Sequence, residues 1–167
     1  MAFGVASLAI LGVNDVNLVS VDPKQTEHYQ DAGLDAIARA GFSQRHRLVH
    51  RPSYEGLPAL LGEGLRLQFA YIDGWHTFDY VLLDFFYIDK MLDVGGVVAF
   101  NDCWMPSVDR VVAFALSHRD YEEIDVGLRR GKPKREMLHR RPGRQHEDRY
   151  LRKVTNHEPA WDFYHPF

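Results

Sequence analysis

The sequence predicts an α/β fold built on a mostly parallel sheet with helices on both faces. Two observations predict it. Short apolar runs alternate with longer segments of helical periodicity, the pattern of strands joined by crossover helices. Several of the apolar runs also end in an acidic residue, at Asp22, Asp73 and Asn101-Asp102. In open α/β sheets, ligands lie outside the carboxyl ends of the strands. Polar residues there face a crevice and not the core.

The elements follow in order. Asn17-Leu-Val-Ser-Val-Asp22 reads as a buried strand. Thr26 to Gly41 reads as one helix, with Gly41 as its C-terminal stop. Arg47-Leu-Val-His50 is a weaker strand. Tyr54 to Leu61 is a short helix with Ser53 as its N-cap. Leu67-Gln-Phe-Ala-Tyr-Ile-Asp73 is a third strand. Phe78 to Leu92 is a helix, because Val81, Phe85, Ile88 and Leu92 recur at helical spacing. Val94 to Phe100 is a strand introduced by Gly95-Gly96. Val108 to Ser117 is a helix, Tyr121 to Val126 a strand, and Leu151 to Thr155 a final edge strand. The stretch from Gly127 to Asp148, with its Pro, Gly and Arg residues, reads as a loop or flexible insertion within a single domain covering 1–167.

Composition narrows the class. The chain has 167 residues, 46% hydrophobic and 26% charged, the mix of a globular domain with enough apolar surface to form a core. The lone Cys103 excludes an internal disulfide and a multi-cysteine zinc site, and points to a reducing, cytoplasmic setting. No apolar run has the length of a membrane span, and the apolar start lacks the basic flank of a signal peptide. The net charge of -3 conceals a basic stretch from Arg129 to Lys153, which includes Arg130, Lys132, Lys134, Arg135, Arg140, Arg141, Arg144, Arg149 and Arg152. Such a stretch can meet phosphate. With few aromatics interleaved, a solvated surface segment is the plainer reading, and a nucleic-acid partner is not expected.

Three places carry chemistry. Asp22 can accept both hydroxyls of a ribose, or it can cap the helix that follows Pro23. In Ile72-Asp-Gly-Trp-His76, Gly74 permits a sharp turn after the strand. Asp73 could bind a metal or face a cationic cofactor, and His76 could serve as a general base, since imidazole titrates near neutrality. Both could equally be structural. Asn101 and Asp102 end the next strand and, with Asp73, offer hard oxygen donors suited to magnesium. Asp102 could instead cap the next helix. Trp75, Trp104 and Met105 would form an apolar rim or pack between helices. No G-x-G-x-x-G follows a strand, and there is neither a G-x-x-x-x-G-K-[ST] loop nor a G-x-S-x-G elbow, so dinucleotide, P-loop and hydrolase readings lack support.

Taken together, Phe69-Ala-Tyr-Ile-Asp-Gly-Trp-His-Thr-Phe-Asp-Tyr80, Leu92-Asp-Val-Gly-Gly-Val-Val98 and Asn101-Asp102 resemble the class I S-adenosylmethionine-dependent methyltransferases. Within them, the likeness is to the macrocin-type, or methyltransferase 24, group of small-molecule O-methyltransferases. It covers roughly residues 1–125.

The resemblance implies a Rossmann-like fold, S-adenosylmethionine as cofactor and a small-molecule acceptor. It implies that Asp22 binds the ribose, that Ser53 and Tyr54 sit by the adenine, and that Asp73 lies near the sulfonium. A metal would be held at Asp73, Asn101 and Asp102, although the family's metal-dependent members show an acid pair or Asp-Asn where this chain has Asn-Asp. The family's glycine-rich first motif, Glu-x-Gly-x-x-x-Gly-x-Ser, is matched in its second half only, with Gly4 as the later glycine and Ser7 near the serine. The chain is therefore expected to begin inside that motif, with the first strand of the family fold missing. Two inner strand edges would then be open, for a homodimer partner to cover. The rival expectation is an inactive methyltransferase-like fragment or binding protein.

Overall fold

The computed structural model describes residues 2–127 and 148–167. The basic residues from Arg129 to Arg144 lie outside the described residues, as does most of the expected insertion. The chain divides into two compact units, Met1–Leu60 and Leu61–Phe167.

The first unit holds helix α1 (Ala2–Val13), strand β1 (Leu18–Val21), helices α2 (Gln25–Tyr29) and α3 (Ala32–Arg39), strand β2 (His46–Val49) and all but the last two residues of helix α4 (Ser53–Gly62). β1 and β2 pair in parallel, with Leu18 opposite His46 and Val21 opposite Val49. Parallel strands need a crossover, and α2 and α3 supply it. The single helix expected over Thr26 to Gly41 is in fact two. Gln30 (φ 49°) and Asp31 (φ 58°) adopt left-handed backbone and break it. The Thr26 hydroxyl donates to the Asp31 carboxylate at 2.8 Å, a local bond that holds the break. Arg45 reaches back to the carbonyls of Leu11 and Asn14, neutralising the open carbonyl end of α1. α4 approaches β1 and β2 closely because Gly56 has no side chain; a Cβ there would stand 3.0 Å from Val21 and 3.1 Å from Val49.

The second unit holds β3 (Leu67–Ile72), α5 (Phe78–Met91), β4 (Leu92–Phe100), α6 (Pro106–His118), β5 (Tyr121–Ile124) and β6 (Arg149–Lys153) in a sheet of order β3-β4-β6-β5. β3 and β4 are parallel, while β6 runs antiparallel to both β4 and β5. The final strand is thus internal, not the expected edge. Antiparallel pairing on both flanks buries Leu151 completely. β4 starts at Leu92, two residues before the expected Val94, so Gly95-Gly96 lies well inside it; Gly95, at φ +86°, takes a conformation glycine alone adopts freely.

Alternation along β3 turns Ala70 and Ile72 inward and leaves Phe69 and Tyr71 about half exposed. The inward residues join Val98 and Phe100 of β4, Val81, Phe85 and Ile88 of α5, and Val108, Val111 and Val112 of α6 in one core. Phe85 anchors it, with its ring 5.8 Å from Phe100 and 5.6 Å from Tyr121. Pro106 stands at the first turn of α6, where a missing amide proton costs nothing. Parallel strand pairs joined through helices make this an α/β fold of Rossmann-like type, as the sequence predicts.

Candidate functional site

The carboxyl ends of β3 and β4 place Asp73, His76 and Asp102 together. The parallel register puts Ile72 opposite Phe100, and the Asn101 amide donates to the Ile72 carbonyl at 3.0 Å. The two strands therefore end side by side. After β3, the turn through Gly74 carries His76 back over the strand end. The Ser107 hydroxyl, at the start of α6, donates to the His76 carbonyl at 2.6 Å and fixes that turn. After β4, Asp102 adopts φ 53°, an uncommon left-handed conformation for a residue with a side chain. Its carboxylate is braced by the Trp104 indole N–H at 2.7 Å.

The result is an imidazole between two carboxylates. His76 Nε2 lies 3.6 Å from Asp73 Oδ1 and 3.6 Å from Asp102 Oδ2. Nε2 is buried and has no hydrogen-bond partner among the described residues. Burial pushes the Asp73 carboxyl above the usual carboxylate range, the Asp102 and Asp148 charges add to the shift, and His76 opposes it. A carboxyl raised on folding binds protons more tightly in the native state. Its stabilising contribution is complete at acid pH and is lost as pH rises through the folded value. Asp73→Asn is therefore expected to raise the thermal midpoint at pH 7 and to leave it unchanged at about pH 3, where both residues are neutral. Melting curves at the two pH values check this.

A second group of side chains, not foreseen from sequence, crosses the same strand ends. Asn101 Nδ2 donates to Asp148 Oδ1 at 2.8 Å and to the Tyr71 hydroxyl at 3.1 Å. The Tyr71 hydroxyl in turn donates to Asp148 Oδ2 at 3.1 Å. Burial first, then the Asp148 charge, moves the Tyr71 hydroxyl well above the usual phenol range, so it stays a donor. Strand register is the signal that finds this group. Phe100 pairs with Arg149, so the next residues outward, Asn101 and Asp148, face one another.

Magnesium at Asp73, Asn101 and Asp102, which the resemblance implied, finds no support in the arrangement of these residues. The Asp73 and Asp102 carboxylates each lie 3.6 Å from His76 Nε2, and the Asn101 side-chain nitrogen donates to Tyr71 and Asp148. Among the described residues, no three His, Cys, Asp or Glu side chains converge as metal ligands. Cys103 takes no part in the site; burial pushes its thiol up to about 12, and it donates to the Phe100 carbonyl. Of the expected rim, Trp75 is exposed, Trp104 braces Asp102, and Met105 packs against the core instead.

The remaining candidates lie in the first unit. Asp22 follows β1, and its Oδ1 accepts the Lys24 amide at 2.8 Å. It thus organises the turn into α2, although the residue at the helix cap itself is Lys24. Asp22 Oδ2 has no partner among the described residues. Ser53 begins α4 as a helical residue, and Tyr54 beside it is half exposed. Gly4 and Ser7 lie within α1, with Ser7 buried.

A family model described as a methyltransferase domain matches residues 2–103, more than half of the chain and the stretch that holds Asp22, Asp73, His76 and Asp102. The chain belongs to this methyltransferase family. Solved structures give the methyltransferase fold independent support. An apo TDP-rhamnose 3'-O-methyltransferase of calicheamicin biosynthesis is 20% identical, with a TM-score of 0.57 over 90% of this chain and 64% of that one. An O-methyltransferase from Bacillus cereus in complex with SAH is 13% identical, with a TM-score of 0.60 over 83% of this chain and 63% of the other. TomG, an O-methyltransferase from Streptomyces achromogenes in complex with SAM, is 17% identical, with a TM-score of 0.58 over 83% of this chain and 62% of its own. At these identities the likeness is one of fold, and the chain spans less than two thirds of each of these three structures. No curated protein matches the chain. No helix among the described residues is long and apolar enough to cross a membrane.

Proposed function

We propose that this methyltransferase domain, read as one domain over 1–167, transfers a methyl group from S-adenosylmethionine to a hydroxyl of a small-molecule acceptor. The observation that carries the reading is His76 Nε2 set between the Asp73 and Asp102 carboxylates, inside the stretch matched by the family model. When bound, S-adenosylmethionine supplies an electrophilic methyl group on a cationic sulfur. The chain supplies binding, alignment and a base.

His76 takes the proton of the acceptor hydroxyl at Nε2, and the two carboxylates hold the imidazolium that forms. The Asp73 charge also favours a sulfonium over its neutral product. Asp22 fits a ribose diol, because one carboxylate oxygen holds the turn and the other is left to accept hydroxyls. Ser53 and Tyr54 are assigned to the adenine. Gly4 and Ser7 are assigned to the methionine end. In an assay of radiolabelled methyl transfer to a panel of phenols and sugars, at least one acceptor should be labelled. Asp73→Ala should reduce that labelling by about a hundredfold or more. Full activity in the variant would sink the assignment.

A further inference from the structure

Asp102 reaches His76 from a backbone conformation that a residue with a side chain enters only at a cost. Something must hold it there. The Trp104 indole braces its carboxylate, and the Met105 amide donates to its carbonyl at 2.8 Å. These contacts secure the far side of the turn. The near side rests on Asn101, whose amide N–H is bonded to Ile72 and whose side chain is gripped by Asp148 and Tyr71.

We propose that Asp148, the residue before β6, is a positioning residue of the site. Acting through Asn101, it fixes the left-handed turn at Asp102 and so keeps the Asp102 carboxylate beside His76. The geometry suits this task. Asp148 accepts two hydrogen bonds, one from the residue after β4 and one from Tyr71 of β3. Its carboxylate thereby ties the ends of three strands at the point where the turn begins. Asp148 is 46 residues from Asp102 along the chain, so nothing local obliges it to be there, and a carboxylate accepting two donors holds geometry better than a neutral acceptor.

The link to turnover rests on the methyl-transfer reading above; the link to the Asp102 turn does not. The test uses the whole chain and reads the Trp104 indole N–H by nitrogen–proton spectroscopy. Trp104→Phe assigns the signal, and the exposed Trp75 and Trp161 serve as internal references. In Asp148→Ala and in Asn101→Ala, exchange of the Trp104 indole proton should quicken by about tenfold or more, with the other two indoles unchanged. Asp148→Asn keeps one neutral acceptor for Asn101 but loses the charge and the second oxygen, and should fall between the wild type and Asp148→Ala. With an active acceptor, kcat of Asp148→Ala should fall by about tenfold or more, while KM for S-adenosylmethionine stays within about twofold. An unchanged Trp104 signal in Asp148→Ala, or equal quickening of all three indoles, overturns the positioning role. A wild-type chain that transfers no methyl group overturns the methyl-transfer reading instead, and the indole signal still decides the role of Asp148.

Discussion

His76→Ala is expected to lower the rate of methyl transfer by about 100- to 10,000-fold, the range a positioned general base contributes. His76 Nε2 is an unbonded imidazole nitrogen with two carboxylates at 3.6 Å, close enough to stabilise positive charge there yet beyond hydrogen-bond range, so neither occupies the nitrogen. The fold should not suffer. The turn is held by main-chain contacts, from Ser107 to the His76 carbonyl and from the Thr77 amide to the Trp75 carbonyl, and the variant keeps both. Binding of the cofactor product should persist. Steady-state rates at saturating substrates, with circular dichroism as the fold control, measure this. A variant within about threefold of the wild type would place the base elsewhere.

The largest effect on stability is expected at Asp89. It is 5% exposed and accepts from the Tyr121 hydroxyl at 2.7 Å and from Arg119 Nε at 3.3 Å. The Lys153 ammonium, also 5% exposed, lies 3.2 Å from the Asp89 carboxylate and donates to the Asp89 carbonyl at 2.6 Å. These contacts bind α5 to β5 and β6. Asp89→Ala leaves a buried ammonium without its countercharge and a buried phenol without an acceptor. Such a loss costs about 3–5 kcal/mol. Combining it with Lys153→Met should restore much of the loss, because an apolar pair buries no unpaired charge. Urea unfolding of the two single variants and the double variant measures both effects. Additive losses would show that the two groups act independently.

The residues behind these two effects differ in how visible they are in the sequence. Asp73, His76 and Asp102 follow from one rule, that polar residues at the carboxyl ends of parallel strands face a ligand, and strand ends are readable from apolar runs. Asp89 and Lys153 give no such signal. Asp89 sits one residue from the apolar position Ile88, and its partner stands 64 residues away. Asp148 and Tyr71 were hidden for the same reason, since only the pairing of β4 with β6 brings Asp148 to Asn101. The position of β6 also escaped the sequence. Its length and composition suit an edge, but antiparallel insertion between β4 and β5 is a choice among long-range pairings that local pattern does not encode. The break after Tyr29 was missed because no Gly or Pro marks it. Gln30 and Asp31 take the left-handed backbone themselves, with the Thr26 hydroxyl as the local compensation. Helix α5 was legible almost to the residue, since Val81, Phe85 and Ile88 form one buried stripe.

Calorimetric titration of S-adenosylhomocysteine into the purified chain separates a cofactor-binding domain from one that only shares the fold. Saturable binding at micromolar concentration, about 8 kcal/mol, is expected, weakened by about tenfold or more in Asp22→Ala through loss of the ribose contact. No heat of binding to the wild-type chain, or equal affinity in the variant, would contradict the assignment of this domain as an S-adenosylmethionine-dependent methyltransferase with Asp22 at the ribose.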